Sequence, residues 1–222
     1  VRVSAGTYGV GGTAVNWVTG GGAVKVEGSV PATLHWVGGV TPRNWNNANC
    51  WTNQLTGAHE IPMSGDSLVI KNDANQGCNN NIAGLELRQL TFKSGYSCPS
   101  GNGVTFRAGS PAIYSDGYMF YDLPTRLEGT NFTFYASSMM LFRQGLCSYD
   151  GAPCGFRKTG TGTMELNGTY PGGPDLARPS GVIAVEAGEL KVNIDYRGPS
   201  KYTVAGGAYL SGTGKVTNAE FA

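Results

Sequence analysis

Between Phe156 and Ala222 the chain returns repeatedly to one local pattern, a strand-like run closed by glycine. The runs are Lys158-Thr-Gly-Thr-Gly-Thr-Met-Glu-Leu-Asn-Gly-Thr-Tyr170, Gly181-Val-Ile-Ala-Val-Glu-Ala-Gly-Glu-Leu-Lys-Val-Asn193 and Tyr202-Thr-Val-Ala-Gly-Gly-Ala-Tyr-Leu-Ser-Gly-Thr-Gly-Lys-Val-Thr-Asn218. At the end of the second run and just past it, Leu190, Val192 and Ile194 alternate with Glu189, Lys191, Asn193 and Asp195. Strict alternation marks a strand with one buried and one wet face. Leu166, Leu190 and Leu210 recur roughly twenty residues apart, a period that stacked coils produce and a closed globule does not. The expected fold is all-β, a solenoid of stacked coils.

Composition agrees with that expectation. Glycine is high at 35 of 222 residues, yet 40% of the chain is hydrophobic and lies in ordered strand patterns, so the glycine marks tight turns rather than disorder. The net charge of +1 gives no reason to expect nucleic acid or an anionic membrane as partner. No apolar run approaches the length of a membrane-spanning helix, and no membrane insertion is expected. The sequence opens on Val1, as a processed chain or a fragment would. Five cysteines, Cys50, Cys78, Cys98, Cys147 and Cys154, form no CxxC pair, which argues against zinc. Cys147 and Cys154 bracket a turn-rich loop that a disulfide would close, and two of the other three are candidates for a second bridge. Disulfides would fit a secreted setting; buried reduced thiols are the alternative.

The chain divides into three regions. Residues 1–30 are an extended, glycine-jointed arm, too poor in side-chain bulk to build a core. Strand addition to a neighbouring subunit is its expected use, with Val1, Val3, Val10, Val15, Trp17, Val24 and Val26 as anchors. Residues 31–70 carry Trp36, Trp45 and Trp51. These read as rings that cover the open first coil of a solenoid, or as a platform on which a surface glycan stacks. Residues 71–222 form the solenoid body, with an irregular middle section at 98–154. Its aromatic cluster Tyr114, Tyr118, Phe120 and Tyr121 reads as an inserted loop or bulged coil.

Trp36-Val-Gly-Gly, Asn44-Trp-Asn-Asn-Ala-Asn-Cys-Trp-Thr52, Pro62, Gly65-Asp66 and Val69-Ile70 resemble the opening of bacterial proteins with autotransporter-associated β-strand repeats. The segment Lys158–Gly168, with Val185–Asn193 and Leu210–Val216, is similar to the repeat itself. The resemblance covers about half of the chain. It implies a secreted right-handed parallel β-helix displayed at the bacterial surface. The repeat occurs about once here, and no membrane-barrel segment is present, which favours a free-standing extracellular subunit.

No catalytic, cofactor or metal site is expected. His35 and His59 lack metal-ligand partners at helix or strand spacing, and neither a Gly-x-Ser-x-Gly elbow nor a phosphate loop is present. Asn72-Asp73-Ala-Asn75-Gln-Gly77 resembles a calcium loop weakly and reads better as an asparagine-rich turn. Asn131-Phe-Thr133 and Asn167-Gly-Thr169 are glycosylation sequons by pattern. The expected function is a structural subunit whose partners are identical copies, joined by strand addition and end-to-end β stacking into a filament or surface layer. A glycan-binding surface passenger is the first alternative, and a β-helix polysaccharide-degrading enzyme the second.

Overall fold

A computed structural model of the chain describes residues 6–9, 23–26, 30–38, 42–71, 78–93, 99–107, 111–148, 154–169, 181–194, 201–216 and 219–221. For 6–9, 23–26, 111, 147–148, 169 and 219–221 only the backbone is described. The architecture is a parallel β-solenoid. A 13-stranded and a 5-stranded sheet wrap its body, and among the described residues one 3-10 turn, Ala48–Cys50, interrupts the strands.

The first face begins at Thr33–Trp36 and continues through Asp66–Lys71 to the second half of the long strand Leu85–Lys93. It then runs through Pro111–Ser115, Phe132–Ala136, Phe156–Thr159, Ile183–Val185, Tyr202–Val204 and Ala219–Phe221. The second face stacks Met119–Tyr121, Met139–Gln144, Thr163–Thr169, Glu189–Val192 and Tyr209–Ser211. A third face grows from the first half of Leu85–Lys93 through Val104–Arg107 and Thr125–Glu128 to Leu146–Ser148. Leu85–Lys93 serves two faces because the register shifts at Arg88, which faces no partner in Asp66–Lys71. A bulge of this kind bends a strand and re-aims its remaining residues.

Alternation builds the interior. Along each strand every second residue points inward, and parallel register stacks those residues into columns along the axis. One column is Leu34, Leu68, Leu90, Ile113, Phe134, Lys158, Val185 and Val204, all buried. Another is Met119, Met140, Met164 and Leu190, continued by the partly buried Leu210. Phe134 meets Phe142 and Phe156 edge-on at 5.8 and 5.1 Å. Each fully buried large side chain contributes about 2 kcal/mol relative to exposure.

Two expectations change. Leu166 stacks on Val192 rather than on Leu190, whose neighbour is Met164, so the leucines do not form a single column. Among the described residues of 98–154 the spacing is regular, Val104, Thr125 and Leu146 following at intervals of 21 residues, as do Ile113 and Phe134 on the first face, with register shifts only at Pro111/Ile113 and Phe142/Gln144. Its coils looked irregular because their inward residues are mixed aromatic and aliphatic. The variable coils come later, where Phe134, Lys158, Val185 and Val204 are spaced by 24, 27 and 19 residues.

Within the expected arm, Gly6–Gly9 and Ala23–Val26 pair antiparallel, Gly6 opposite Val26 and Gly9 opposite Ala23. Neither strand pairs with the solenoid sheets.

Candidate functional site

The two ends of the solenoid differ. At the first end, Trp51–Asn53 lies antiparallel on the outer edge of Thr33–Trp36, with Trp36 opposite Trp51. Its own outer edge is occupied. The Asn53 N–H donates to the Ala58 carbonyl at 2.8 Å, and His59 Nδ1 donates to the Trp51 carbonyl at 2.9 Å. Asp66 fixes the chain around this cap. One carboxylate oxygen accepts from the Ala32 N–H at 2.8 Å, the other from the Met63 N–H at 2.7 Å. Asn44 Oδ1 accepts from Asn79 Nδ2 at 3.1 Å beside a parallel bridge between the same residues. A backbone edge closed in this way offers no template for another strand.

The tryptophans complete the cap. Trp45 and Trp51 are fully buried and Trp36 is 5% exposed. Trp51 meets Trp36 and Trp45 edge-on at 4.9 and 5.6 Å, and its Nε1–H donates to the Trp45 carbonyl at 3.0 Å. Trp45 and Trp51 are enclosed and give a sugar no stacking surface, and Trp36 shows only a small part of its surface to an open cleft beside His35. Of the two readings of Trp36, Trp45 and Trp51, their burial fits the cap and not the glycan platform.

At the other end, the second face stops among the described residues at Tyr209–Ser211. Tyr209–Ser211 pairs on one side with Glu189–Val192 and on the other with no strand among the described residues. Tyr209 is 67% exposed. Below this edge the outer surface is a polar ladder. Glu189 accepts from Ser211 Oγ at 2.6 Å and Thr163 Oγ1 at 2.9 Å, and these two bonds, with Lys191 nearby, hold its carboxyl below the usual range. Glu165 accepts from Asn193 Nδ2 at 2.7 Å and Lys191 Nζ at 3.3 Å.

Lys158 stands inside, at an inward position of the Phe156–Thr159 strand. Its ammonium donates to the carbonyls of Thr159, Gly160 and Ala187 at 3.0, 2.8 and 2.9 Å, tying two successive corners together. Burial lowers its pKa to about 8, with Glu189 pulling the other way. The alternation Phe156, Lys158 carried the signal for its inward position, which sequence reading passed over.

On the outer surface Tyr114 and Tyr135 stack at 4.3 Å and 4°. Lys93 Nζ lies 5.2 Å from the Tyr114 ring centre, so both faces of that ring are engaged. A hydrogen bond to Asp116 comes first among the causes that raise the Tyr114 hydroxyl to about 12. Around the corner Arg143 covers Phe120 at 4.1 Å. The aromatic cluster is thus carried by paired strands and the turn between them rather than by an inserted loop, and the strand that holds Tyr114 has a register shift between Pro111 and Ile113.

Of the remaining predicted residues, Asn131 and Asn167 are exposed, Asn131 at a corner with φ +68°. His35 lines an open cleft of about 500 Å³ with Thr52, Gln54 and Lys71. Cys50, Cys78 and Cys154 are buried, and no disulfide joins described residues. Burial raises the pKa of the Cys50 thiol, and the second bridge expected within Cys50, Cys78 and Cys98 has no counterpart among the described residues. Cys98 and the side chain of Cys147 lie outside the described residues, as do Val1, Val3, Val10, Val15, Trp17, Asn72–Gly77 and the side chains of Val24 and Val26. Among the described residues no three His, Cys, Asp or Glu side chains group as metal ligands, and no helix is long and apolar enough to cross a membrane. Comparison with family models, curated proteins and solved structures gives no match.

Proposed function

We propose that this protein is a secreted structural subunit that assembles with identical copies into an extracellular filament or surface layer. One observation carries the reading: among the described residues a strand pair, Gly6–Gly9 with Ala23–Val26, joins no sheet of the body, and the outer side of Tyr209–Ser211 pairs with no strand. Unpaired strand edges recruit other strands, and β-strand addition is a general way to satisfy them. The closed first end supports a narrower form of the expectation. Body-to-body stacking through the first coil has no backbone edge available, so strand addition is the mode of contact. The resemblance to surface-displayed bacterial β-helices supports the extracellular setting.

The test is deletion of residues 1–29. The full chain should form polymers in electron micrographs and sediment as a concentration-dependent series. The truncated chain should keep the β-rich circular dichroism of the parent and sediment as a monomer. Polymers of unchanged length from the truncated chain would overturn the proposal.

A further inference from the structure

We propose that a cleft at the edge where the coils enter the first face binds an acidic sugar, with Arg157 holding its carboxylate. The site goes beyond the assembly reading above and does not depend on it.

Its position follows from where the coils vary in length. From Pro111–Ser115 onward, the connections that leave the first face have 3, 2, 3, 3 and 4 residues. Those that enter it grow from 3 residues (108–110 and 129–131) to 7 (149–155), 13 (170–182), 9 (193–201) and 7 (212–218). The first-face strands stack in parallel, so all of these connections arrive at one edge. Solenoids commonly bind with the face on which their coils take insertions. At this edge a cleft of about 350 Å³ opens beside Asn131, Gly155, Arg157, Val182 and Ala184. Small-ligand sites run from roughly 300 to 1,000 Å³.

Short residues open the cleft. Arg157 stacks between Thr133 and Ala184, and Ala184 on Thr203, all at outward positions because Phe156 and Ile183 point inward. The methyl of Ala184 leaves room between Arg157 and Thr203. Gly155 adds no side chain, and a Cβ there would overlap the Val182 carbonyl oxygen. Val182 is 50% exposed and supplies an apolar wall. Asn131, on the rim, has φ +68°, the only positive value at a non-glycine among the described residues. Glycine is the default in that conformation, and asparagine there adds an amide that both donates and accepts.

The chemistry selects the ligand. Arg157 is the cation among the described residues lining the cleft, and its contacts are long. Its guanidinium lies 3.6 Å from the Glu186 carboxylate and 3.4 Å from the Thr133 hydroxyl. Charge-assisted pairs close to about 2.7–2.9 Å, and a guanidinium takes a carboxylate with two parallel bonds. Asn131 and Thr130 then meet hydroxyl groups, while Val182 and Ala184 meet the C–H face of a ring. A sugar acid carries all three features. A simple carboxylate lacks the hydroxyls, and a neutral sugar lacks the charge. Glu186 competes for the same guanidinium.

Saturation-transfer NMR read on the ligand tests this with the full chain, monomeric or assembled. The probes are sodium glucuronate, glucose and acetate at equal ionic strength. Glucuronate should bind saturably with a dissociation constant on the order of 1 mM, and glucose and acetate at least about tenfold more weakly. Arg157→Gln should weaken glucuronate binding about tenfold, and Glu186→Gln should tighten it. Ala184→Leu, which fills the cleft from an outward position, should abolish binding with an unchanged circular dichroism melt. Arg143→Gln, on the second face, should bind as wild type does. No saturation by glucuronate, or equal binding by wild type and either Arg157→Gln or Ala184→Leu, overturns the site. Glucose or acetate binding as tightly as glucuronate overturns the ligand class. A wild type that binds glucuronate yet sediments as a monomer keeps this site and ends the subunit reading.

Discussion

Lys158 sits where the neighbouring rungs place Phe134 and Val185, and its position follows from what its ammonium does. Three carbonyls at two stacked corners converge on it. Lys158→Met keeps the length and removes the donors, and should cost about 3 kcal/mol in urea unfolding. The titration adds a second readout. The folded state releases this proton near 8, while the unfolded chain holds it until the ordinary lysine value of 10.5. Below 8 both states carry the proton. Between 8 and 10.5 the unfolded state binds more, so the site's contribution to stability rises with pH there. The stability difference between wild type and Lys158→Met should therefore move in favour of wild type from pH 8 to 10. A flat difference would show that the three carbonyls keep the ammonium charged throughout. Trp45 gives a simpler case: with its ring fully buried in the cap, Trp45→Ala should lose about 3–5 kcal/mol, seen as a lower melting temperature. A variant that melts with wild type would mean that the ring is not part of the core. The choice between cap and platform was not legible in the residue type, because tryptophan serves both equally well. Burial decides it.

At the scale of strands and corners, the solenoid depends on close passage of backbone over backbone. Gly162 shows the limit, since a Cβ there would overlap the Ser138 carbonyl oxygen of the coil below. Gly206, in the turn before Tyr209–Ser211, has open space around it. Gly162→Ala should therefore destabilise by more than about 2 kcal/mol, while Gly206→Ala should stay within about 0.5 kcal/mol of wild type. Equal melting temperatures for the two would contradict the packing of the corner. Alternation made the strands themselves readable, Glu189–Val192 above all. Which strand lay on which was less readable, because coil length changes at the corners. An insertion between Lys158 and Val185 shifts every later residue in sequence without moving its strand from the column. That is why Leu166 seemed to belong with Leu190 when Met164 does. The coils of 98–154 keep a near-constant period, but their mixed Phe, Met and Ile columns hid it.

Across the whole molecule, each coil touches its neighbours, so stability is the sum of local interfaces rather than one shared core. Protection should be graded along the axis. Backbone amides of Phe134 and Phe142, within the densest ring contacts, should exchange slowest, and that of Leu210 fastest among the inward residues of the second face. Uniform protection would argue for a single cooperative unit. The overall architecture was legible because one recurring strand repeats the rule of all the others. The sealed first end was not: it comes from an antiparallel return, Trp51–Asn53, and from a histidine closing a backbone edge, neither of which has a periodic signature. That seal makes the proposed polymer directional and gives a means of length control. A copy without residues 1–29 would still receive an incoming strand pair but have none to give. It would occupy one tip of a growing polymer as a terminator. Small admixtures should then shorten the polymers in proportion to their mole fraction, leaving the total mass assembled nearly unchanged.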